Sequence, residues 1–168
     1  HPAALAALGR LHARAGNWEG VLETFLAEVA AATDNREKAQ KSFKAASLLE
    51  ERLGRLPEAI DRYLDALQLH PGFLPAQKAL ERIYEKAGRW ADLVKLLERE
   101  LEDTREADQR IALLWRVARI EEERLSGLDR AADAYQRILE LAPEHLSAIR
   151  SLGSIYERSG KWRELVAL

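Results

Sequence analysis

Apolar residues recur along the whole chain at the three- and four-residue spacing of amphipathic helices. One stripe contains Ile111, Leu114, Trp115, Ala118 and Leu125. No segment alternates as a strand does, and glycine and proline fall almost entirely between the stripes. The pattern predicts an all-α chain of ten helices, over about residues 3–15, 18–33, 36–53, 56–69, 73–87, 90–103, 106–125, 128–141, 145–159 and 162–168.

The turns between helices recur with a double period. The intervals between Gly16, Gly54, Gly88, Ser126 and Gly160 are 38, 34, 38 and 34, so two units together repeat with a step of 72. The same step relates other positions, which are Trp18, Trp90 and Trp162, and also Tyr63 and Tyr135. Each longer interval holds four extra residues, about one helical turn, at Arg36–Ala39 and Asp108–Ile111. We expect them to lengthen the first helix of the second and fourth units.

Two helix starts carry local signals. Asp34 and Glu37 have the spacing of a capping box, and Pro57 follows Leu56 at a predicted first turn. Proline suits that turn because its missing amide hydrogen has no helical partner there. Both signals support the predicted helix boundaries.

The second unit shows the fullest set of repeat residues, between Gln40 and Phe73. It has a large and a small residue on the first helix, a turn glycine, a second helix with small and aromatic positions, and a closing proline: Phe43, Ala46, Leu53, Gly54, Leu56, Ala59, Ile60, Tyr63, Ala66, Leu67, Leu69 and Pro71. This order resembles a tetratricopeptide repeat. Glu50 departs from it, where the family usually has an aromatic residue.

The resemblance implies an architecture and a mode of action. It implies a single right-handed superhelical solenoid of antiparallel helix pairs over residues 1–168, with four full units and a partial fifth at about 2–35, 36–73, 74–107, 108–145 and 146–168. It also implies a non-catalytic scaffold that binds a peptide segment or a partner protein in a concave groove lined by the first helix of each unit.

Composition excludes several other classes of protein. The 168 residues are 47% hydrophobic and 32% charged with a net charge of −2, which is typical of a folded chain and not of a disordered one. No apolar run approaches the roughly 20 residues of a membrane span, and no leader-like segment appears. The absence of cysteine agrees with a reducing compartment but excludes no other, and the lack of a signal or membrane-spanning segment leads us to expect a cytoplasmic protein. The absence of an initiator methionine, together with a last helix that stops in mid-pattern, suggests a fragment of a longer array.

Cations recur on the predicted first helices in two columns. The first column contains Lys44, Lys78, Arg116 and Arg150; the second contains Arg14, Arg52, Lys86, Arg124 and Arg158; Arg82, Leu48 and Ile120 lie between them. The columns are eight residues apart on each helix, slightly over two turns, and therefore lie near one face. Arginine grips carboxylates through paired hydrogen bonds. We therefore expect these residues to bind a peptide with acidic and apolar residues.

A competing interpretation is that these charges only solvate the helices. Glu51, Glu85 and Glu157 stand beside the second column and have i,i+4 spacing to Arg55, Arg89 and Lys161. Such pairs contribute only about 0.2–0.5 kcal/mol each. A receptor for acidic chaperone tails is disfavoured, because Leu48 stands where the family's clamp asparagine is expected.

Two further alternatives stay open. Helical repeats of similar length bind single-stranded RNA, but the net charge of −2 and the lack of a recurring exposed aromatic on the first helices disfavour nucleic acid as a partner. The array could also be purely structural and self-assembling, with an apolar face at its last helix.

The sequence predicts no enzyme, no cofactor and no metal site. Of the four histidines, His12 stands where Tyr84 and Tyr156 stand in later repeats, and none of them has a histidine or cysteine at ligand spacing. The run Glu121–Glu123 does not form a cluster, because successive helical side chains point about 100° apart. The four tryptophans are interpreted as core packing.

Overall fold

The computed structural model describes residues 2–168, and this part of the chain is entirely helical and turn. Its ten helices are α1 (Pro2–Arg14), α2 (Trp18–Ala31), α3 (Asn35–Glu51), α4 (Leu56–Leu69), α5 (Leu74–Ala87), α6 (Trp90–Asp103), α7 (Ala107–Glu123), α8 (Leu128–Leu141), α9 (Leu146–Arg158) and α10 (Trp162–Ala167). The predicted all-α class and the ten predicted helices are confirmed, with boundaries that differ by two residues at most.

The lengths of the helices follow the double period. α3 and α7 have 17 residues each, whereas the other first helices, α1, α5 and α9, have 13, 14 and 13. The extra turn therefore lies in the first helix of the second and fourth units, as predicted. The Asp34 side chain accepts a hydrogen bond from the Glu37 amide at 2.9 Å, and Pro57 lies in the first turn of α4.

Contacts divide the chain into two halves, His1–Ile83 and Tyr84–Leu168, with the boundary inside α5. Each half contains more than one helix-pair repeat, and the halves are called the first and the second contact unit, or simply the first and the second unit. In the first unit α2 packs against α1 and α3, and α3 packs against α4. Its core includes Leu49, Tyr63 and Leu80. An aromatic cluster joins Phe43 to Tyr63 and Phe73, with ring centroids 5.5 and 5.7 Å apart. The assignment of one domain over residues 1–168 stays a prediction.

The second unit repeats this packing. α7 packs against α6 and α8, and α9 packs against α8 and α10. Trp115, Tyr135 and His145 take the places of Phe43, Tyr63 and Phe73, with the Trp115 ring 5.3 Å from Tyr135 and 5.7 Å from His145. Trp115 thus holds the position in this cluster that Phe43 holds in the first unit.

The turn after each first helix uses the left-handed region of backbone space. Gly54 and Gly88 have φ of 66° and 65°, and Ser126 at the equivalent position has φ of 55°. Glycine adopts this conformation without a steric penalty, whereas serine does not. The repeat geometry therefore holds Ser126 in a conformation that suits glycine.

The core-packing interpretation of the tryptophans needs correction. Trp115 is half-buried within the aromatic cluster, in agreement with it. Trp18 and Trp90 are also only half-buried, and an arginine stacks on the ring of each. Trp162 is 60% exposed, so core packing is wrong for this residue.

Candidate functional site

The first basic column is exposed in the first unit. Lys44 on α3 and Lys78 on α5 are both exposed. Within the part of the chain that the structure describes, neither makes an ion pair. A partner that binds them would therefore break no internal ion pair.

A tyrosine, a carboxylate and an arginine form a network beside this column. Tyr63 donates a hydrogen bond to Glu50 at 2.9 Å, and Arg82 donates to the other oxygen of Glu50 at 2.6 Å. Burial raises the pKa of Tyr63 to about 12, and the hydrogen bond to Glu50 acts in the same direction. Tyr63 therefore stays protonated and remains a donor. The network holds Arg82 to α3, which reduces its freedom to bind a partner.

The tyrosine–glutamate pair recurs in the second unit one double period later, and an arginine one helical turn further along takes the role of Arg82. Tyr135 donates to Glu122 at 3.2 Å, and Arg158 donates to the second oxygen of Glu122 at 2.9 Å. Burial is the main cause that raises the pKa of Tyr135 as well. Glu50, which departs from the family pattern, thus has a structural counterpart in Glu122, and the recurrence of glutamate at this position was a signal in the sequence.

Two members of the second basic column stack on tryptophan. The guanidinium carbon of Arg52 lies 4.9 Å from the ring centroid of Trp18, and that of Arg124 lies 4.9 Å from the centroid of Trp90. Each pair joins the end of a long first helix to the preceding second helix. Both residue series recur in the sequence, where Trp18 and Arg52 return together as Trp90 and Arg124, but their contact was not predicted.

The remaining cations differ in their surroundings. Arg116 lies 3.6 Å from Glu85, and Arg150 is exposed and without an ion pair among the described residues. Arg14 and Lys86 are exposed as well. The second unit therefore offers Arg150 and Lys86 as available cations, whereas Arg124 and Arg158 have internal partners.

The apolar residues between the columns contribute unequally. Leu48 is only 9% exposed and packs in the core. Ile120 is half-buried and keeps part of its side chain on the surface. Apolar contact with a partner would therefore come from Ile120 more than from Leu48.

The i,i+4 pairs expected beside the second column are replaced by other contacts. Arg55 binds Glu19 of α2, Arg89 binds Asp92 at 2.8 Å, and Lys161 binds Asp129 at 2.7 Å. Arg55 and Lys161 thus tie neighbouring repeats together. Because they link successive helical hairpins, these charges do more than solvate a helix face.

No group of three or more possible metal ligands occurs among residues 2–168. The His145 side chain accepts a hydrogen bond from the Ala148 amide at 3.2 Å, which gives it a capping role at the start of α9. His12 packs against Gly20, where an added Cβ would meet its ring. In the described range, no helix is long and apolar enough to cross a membrane.

Comparison with known proteins gives the family. A model of the tetratricopeptide repeat matches residues 4–39, 78–112 and 148–168, together more than half of the chain. These ranges correspond to the first, third and fifth helix-pair repeats. The second repeat, between Gln40 and Phe73, had shown the fuller set of family residues in the sequence. A search of curated proteins found no significant match.

Solved structures share the fold. A tetratricopeptide repeat protein from Parabacteroides merdae is 16% identical with a TM-score of 0.52, over 98% of this chain and 62% of that chain. A structure of MamA AMB-1 is 18% identical with a TM-score of 0.51, over 99% of this chain and 86% of that chain. At such identities the likeness shows the helical-repeat fold alone. The repeated helix pairs, their double period and the family match together show that the chain belongs to the tetratricopeptide repeat family.

Proposed function

We propose that the chain is a non-catalytic scaffold whose first helices bind an extended or helical peptide that carries acidic and apolar residues. Family membership supports a protein-interaction scaffold in general. The observation that carries the finer proposal is the exposure of Lys44, Lys78 and Arg150 without ion pairs in the described range, at equivalent positions of three first helices.

The internal contacts refine the choice of residues. Arg52 and Arg124 stack on tryptophan, and Arg82 and Arg158 bind glutamates, so reversing their charge would disturb packing as well as binding. The exposed lysines of the first column therefore offer the better test. In the second unit, Arg116 and Arg150 occupy the equivalent positions, and Ile120 supplies apolar contact.

The test compares two double variants of equal charge change. Lys44→Glu with Lys78→Glu reverses the proposed face, while Lys95→Glu with Arg105→Glu reverses two exposed cations outside the first helices. The probe is a fluorescent peptide of alternating glutamate and leucine, followed by anisotropy, beside a matched peptide of glutamine and leucine. We expect the first pair of substitutions to weaken glutamate-peptide binding by about tenfold or more.

The control pair should retain the affinity, and added salt should weaken binding because exposed charges are screened. Equal loss in both double variants, or equal binding of the glutamine peptide, would show that the first helices do not select acidic residues. Tighter binding of a labelled oligouridylate than of either peptide would favour the RNA-binding alternative instead.

A further inference from the structure

The fourth repeat departs from the others at three positions that meet in space. Glu121 on α7 stands where the other repeats have Leu11, Leu49, Ile83 and Ile155; Arg130 on α8 stands where they have Gly20, Glu58, Asp92 and Glu164; and Gly127 stands where they have Asn17, Arg55, Arg89 and Lys161. In the fourth repeat a carboxylate thus stands at an otherwise aliphatic position, a cation at a mostly acidic position, and a glycine at a position that is otherwise polar or basic.

The carboxylate of Glu121 is built into the packing. The residue is 2% exposed, and a Cβ atom added to Gly127 would overlap its Oε2 atom. Gly127 also donates its amide hydrogen to the Glu121 carbonyl at 2.8 Å. A side chain at position 127 would push the carboxylate out of this position, so the two departures fit each other.

Arg130 reaches two carboxylates without satisfying the buried one. Its Nη1 atom lies 3.1 Å from Oε1 of Glu121, and its Nη2 atom lies 3.5 Å from Oε1 of Glu98. The Nη1 hydrogens are not directed at Oε1 of Glu121, which therefore accepts no hydrogen bond. The Arg130 side chain is 63% exposed. The buried oxygen has a cation nearby but lacks a donor.

This carboxylate opens onto a surface recess of about 230 Å³ between α6, α7 and α8. Glu98, Glu121 and Asp133 line it together with Arg130 and Arg137. Asp129, at the same recess, is held by Lys161. The recess therefore carries an excess of negative charge, and one of the two cations in its lining is Arg130, whose side chain is exposed.

Stability alone does not account for the arrangement. A buried ion pair is generally no more stabilising than well-packed apolar residues of similar volume. The equivalent position in the second repeat is filled by Leu49, which is buried in the core. The fold thus accepts an aliphatic side chain there, and the carboxylate requires a different explanation.

We propose that this recess binds the guanidinium group of an arginine side chain from a partner protein. In the unbound chain, the guanidinium group of Arg130 occupies the position beside Glu98 and Glu121 that the partner's guanidinium would take. Arg130 shows that a single guanidinium reaches Glu98 and Glu121 from two different nitrogens. Guanidinium is weakly hydrated and presents several donors in one plane, so it enters a half-closed recess at a lower desolvation cost than ammonium does. The recess is formed by α6, α7 and α8 and does not depend on the peptide-binding face proposed above.

The experiment is an NMR titration of the protein with N-acetyl-arginine N-methylamide, with the neutral citrulline analogue as a matched ligand. We expect the arginine analogue to shift the amide signals of Val117 and Gly127, and the citrulline analogue to leave them unchanged. Glu121→Leu should weaken the affinity by about tenfold or more. Glu123→Leu, an exposed change of the same charge on the same helix, should leave it unaltered.

A second variant separates binding from packing. Arg130→Gln removes the internal guanidinium and should raise the affinity for the arginine analogue several-fold, whereas a purely structural ion pair predicts no binding in either protein. The proposal is overturned if the citrulline or the corresponding lysine analogue binds as well as the arginine analogue. It is also overturned if Glu121→Leu, verified as folded by its spectrum, retains the affinity.

Discussion

Ser126 shows how a repeat imposes a backbone conformation on a residue that does not favour it. The sequence placed this serine at a turn, because it stands in register with Gly54 and Gly88. Its φ of 55° follows from the connection between α7 and α8. A side chain in this region costs about 1–2 kcal/mol per residue, so the turn stores a small strain.

Ser126→Gly should therefore stabilise the chain by about 1 kcal/mol, since relief of the strain exceeds the entropy that glycine adds to the unfolded state. Urea denaturation followed by circular dichroism would measure the change. Ser159→Gly, in a right-handed conformation with φ of −92°, is the control and should lower stability. A loss of stability in Ser126→Gly would contradict the strain at this turn.

Glu121 makes stability depend on pH. Burial raises its pKa above the ordinary value, Glu98 adds to the increase, and Arg130 opposes it. A raised folded-state pKa means that the native chain retains the proton more strongly than the unfolded chain. The contribution of Glu121 to stability is therefore present in full below the unfolded pKa and is lost as the pH rises through the folded pKa.

Glu121→Leu should raise the free energy of unfolding at neutral pH by about 1–2 kcal/mol, because it replaces a buried charge by the aliphatic residue found at Leu49. The gain over the original chain should shrink as the pH falls towards the unfolded pKa of a glutamate. Denaturant unfolding at several pH values measures this difference. A gain that does not vary with pH would exclude ionisation of Glu121 as its cause.

At the scale of helices, the sequence predicted lengths and faces better than contacts. The extra turns of α3 and α7 follow from the four additional residues in each long interval, since a helix grows by adding turns. The stacking of Arg52 and Arg124 on tryptophan was not predicted. Two columns of residues on different helices meet only when the helices pack at a suitable crossing angle. A single sequence does not reveal that crossing angle.

Arg124→Gln should lower stability by about 0.5–1 kcal/mol, because the cation over the Trp90 ring is lost while a neutral polar side chain with two of the methylenes remains. Lys86→Gln offers a matched control, since Lys86 takes the equivalent place at the end of α5 and stacks on no tryptophan within the described range. We expect a change near zero there. Thermal unfolding of both variants measures the two losses of stability. Similar losses would show that the stacking of Arg124 on Trp90 does not stabilise the chain.

At the scale of the whole molecule, the two contact units contain equivalent arginine and tryptophan pairs. Arg52 with Trp18 lies in the first unit, and Arg124 with Trp90 lies in the second. The pairs share no residue. In repeat proteins stability is close to a sum of local terms, so pairs that share no contact contribute independently.

Arg52→Gln and Arg124→Gln should therefore be additive. The double variant should lose the sum of the two single losses to within about 0.5 kcal/mol. Denaturant unfolding of the four proteins completes this cycle. A larger deviation would mean that the two pairs are energetically coupled.

The sequence by itself determined the helices, their lengths, the double period and the family, because each of these depends on the pattern of residues along the chain. It also located most cations on the first helices. Packing decided which of them stay available: Arg52 and Arg124 stack on tryptophan, while Lys44 and Lys78 remain exposed. Packing likewise buried Glu121 beside Gly127 and Arg130. These outcomes depend on distances between side chains on different helices, which only the tertiary structure sets.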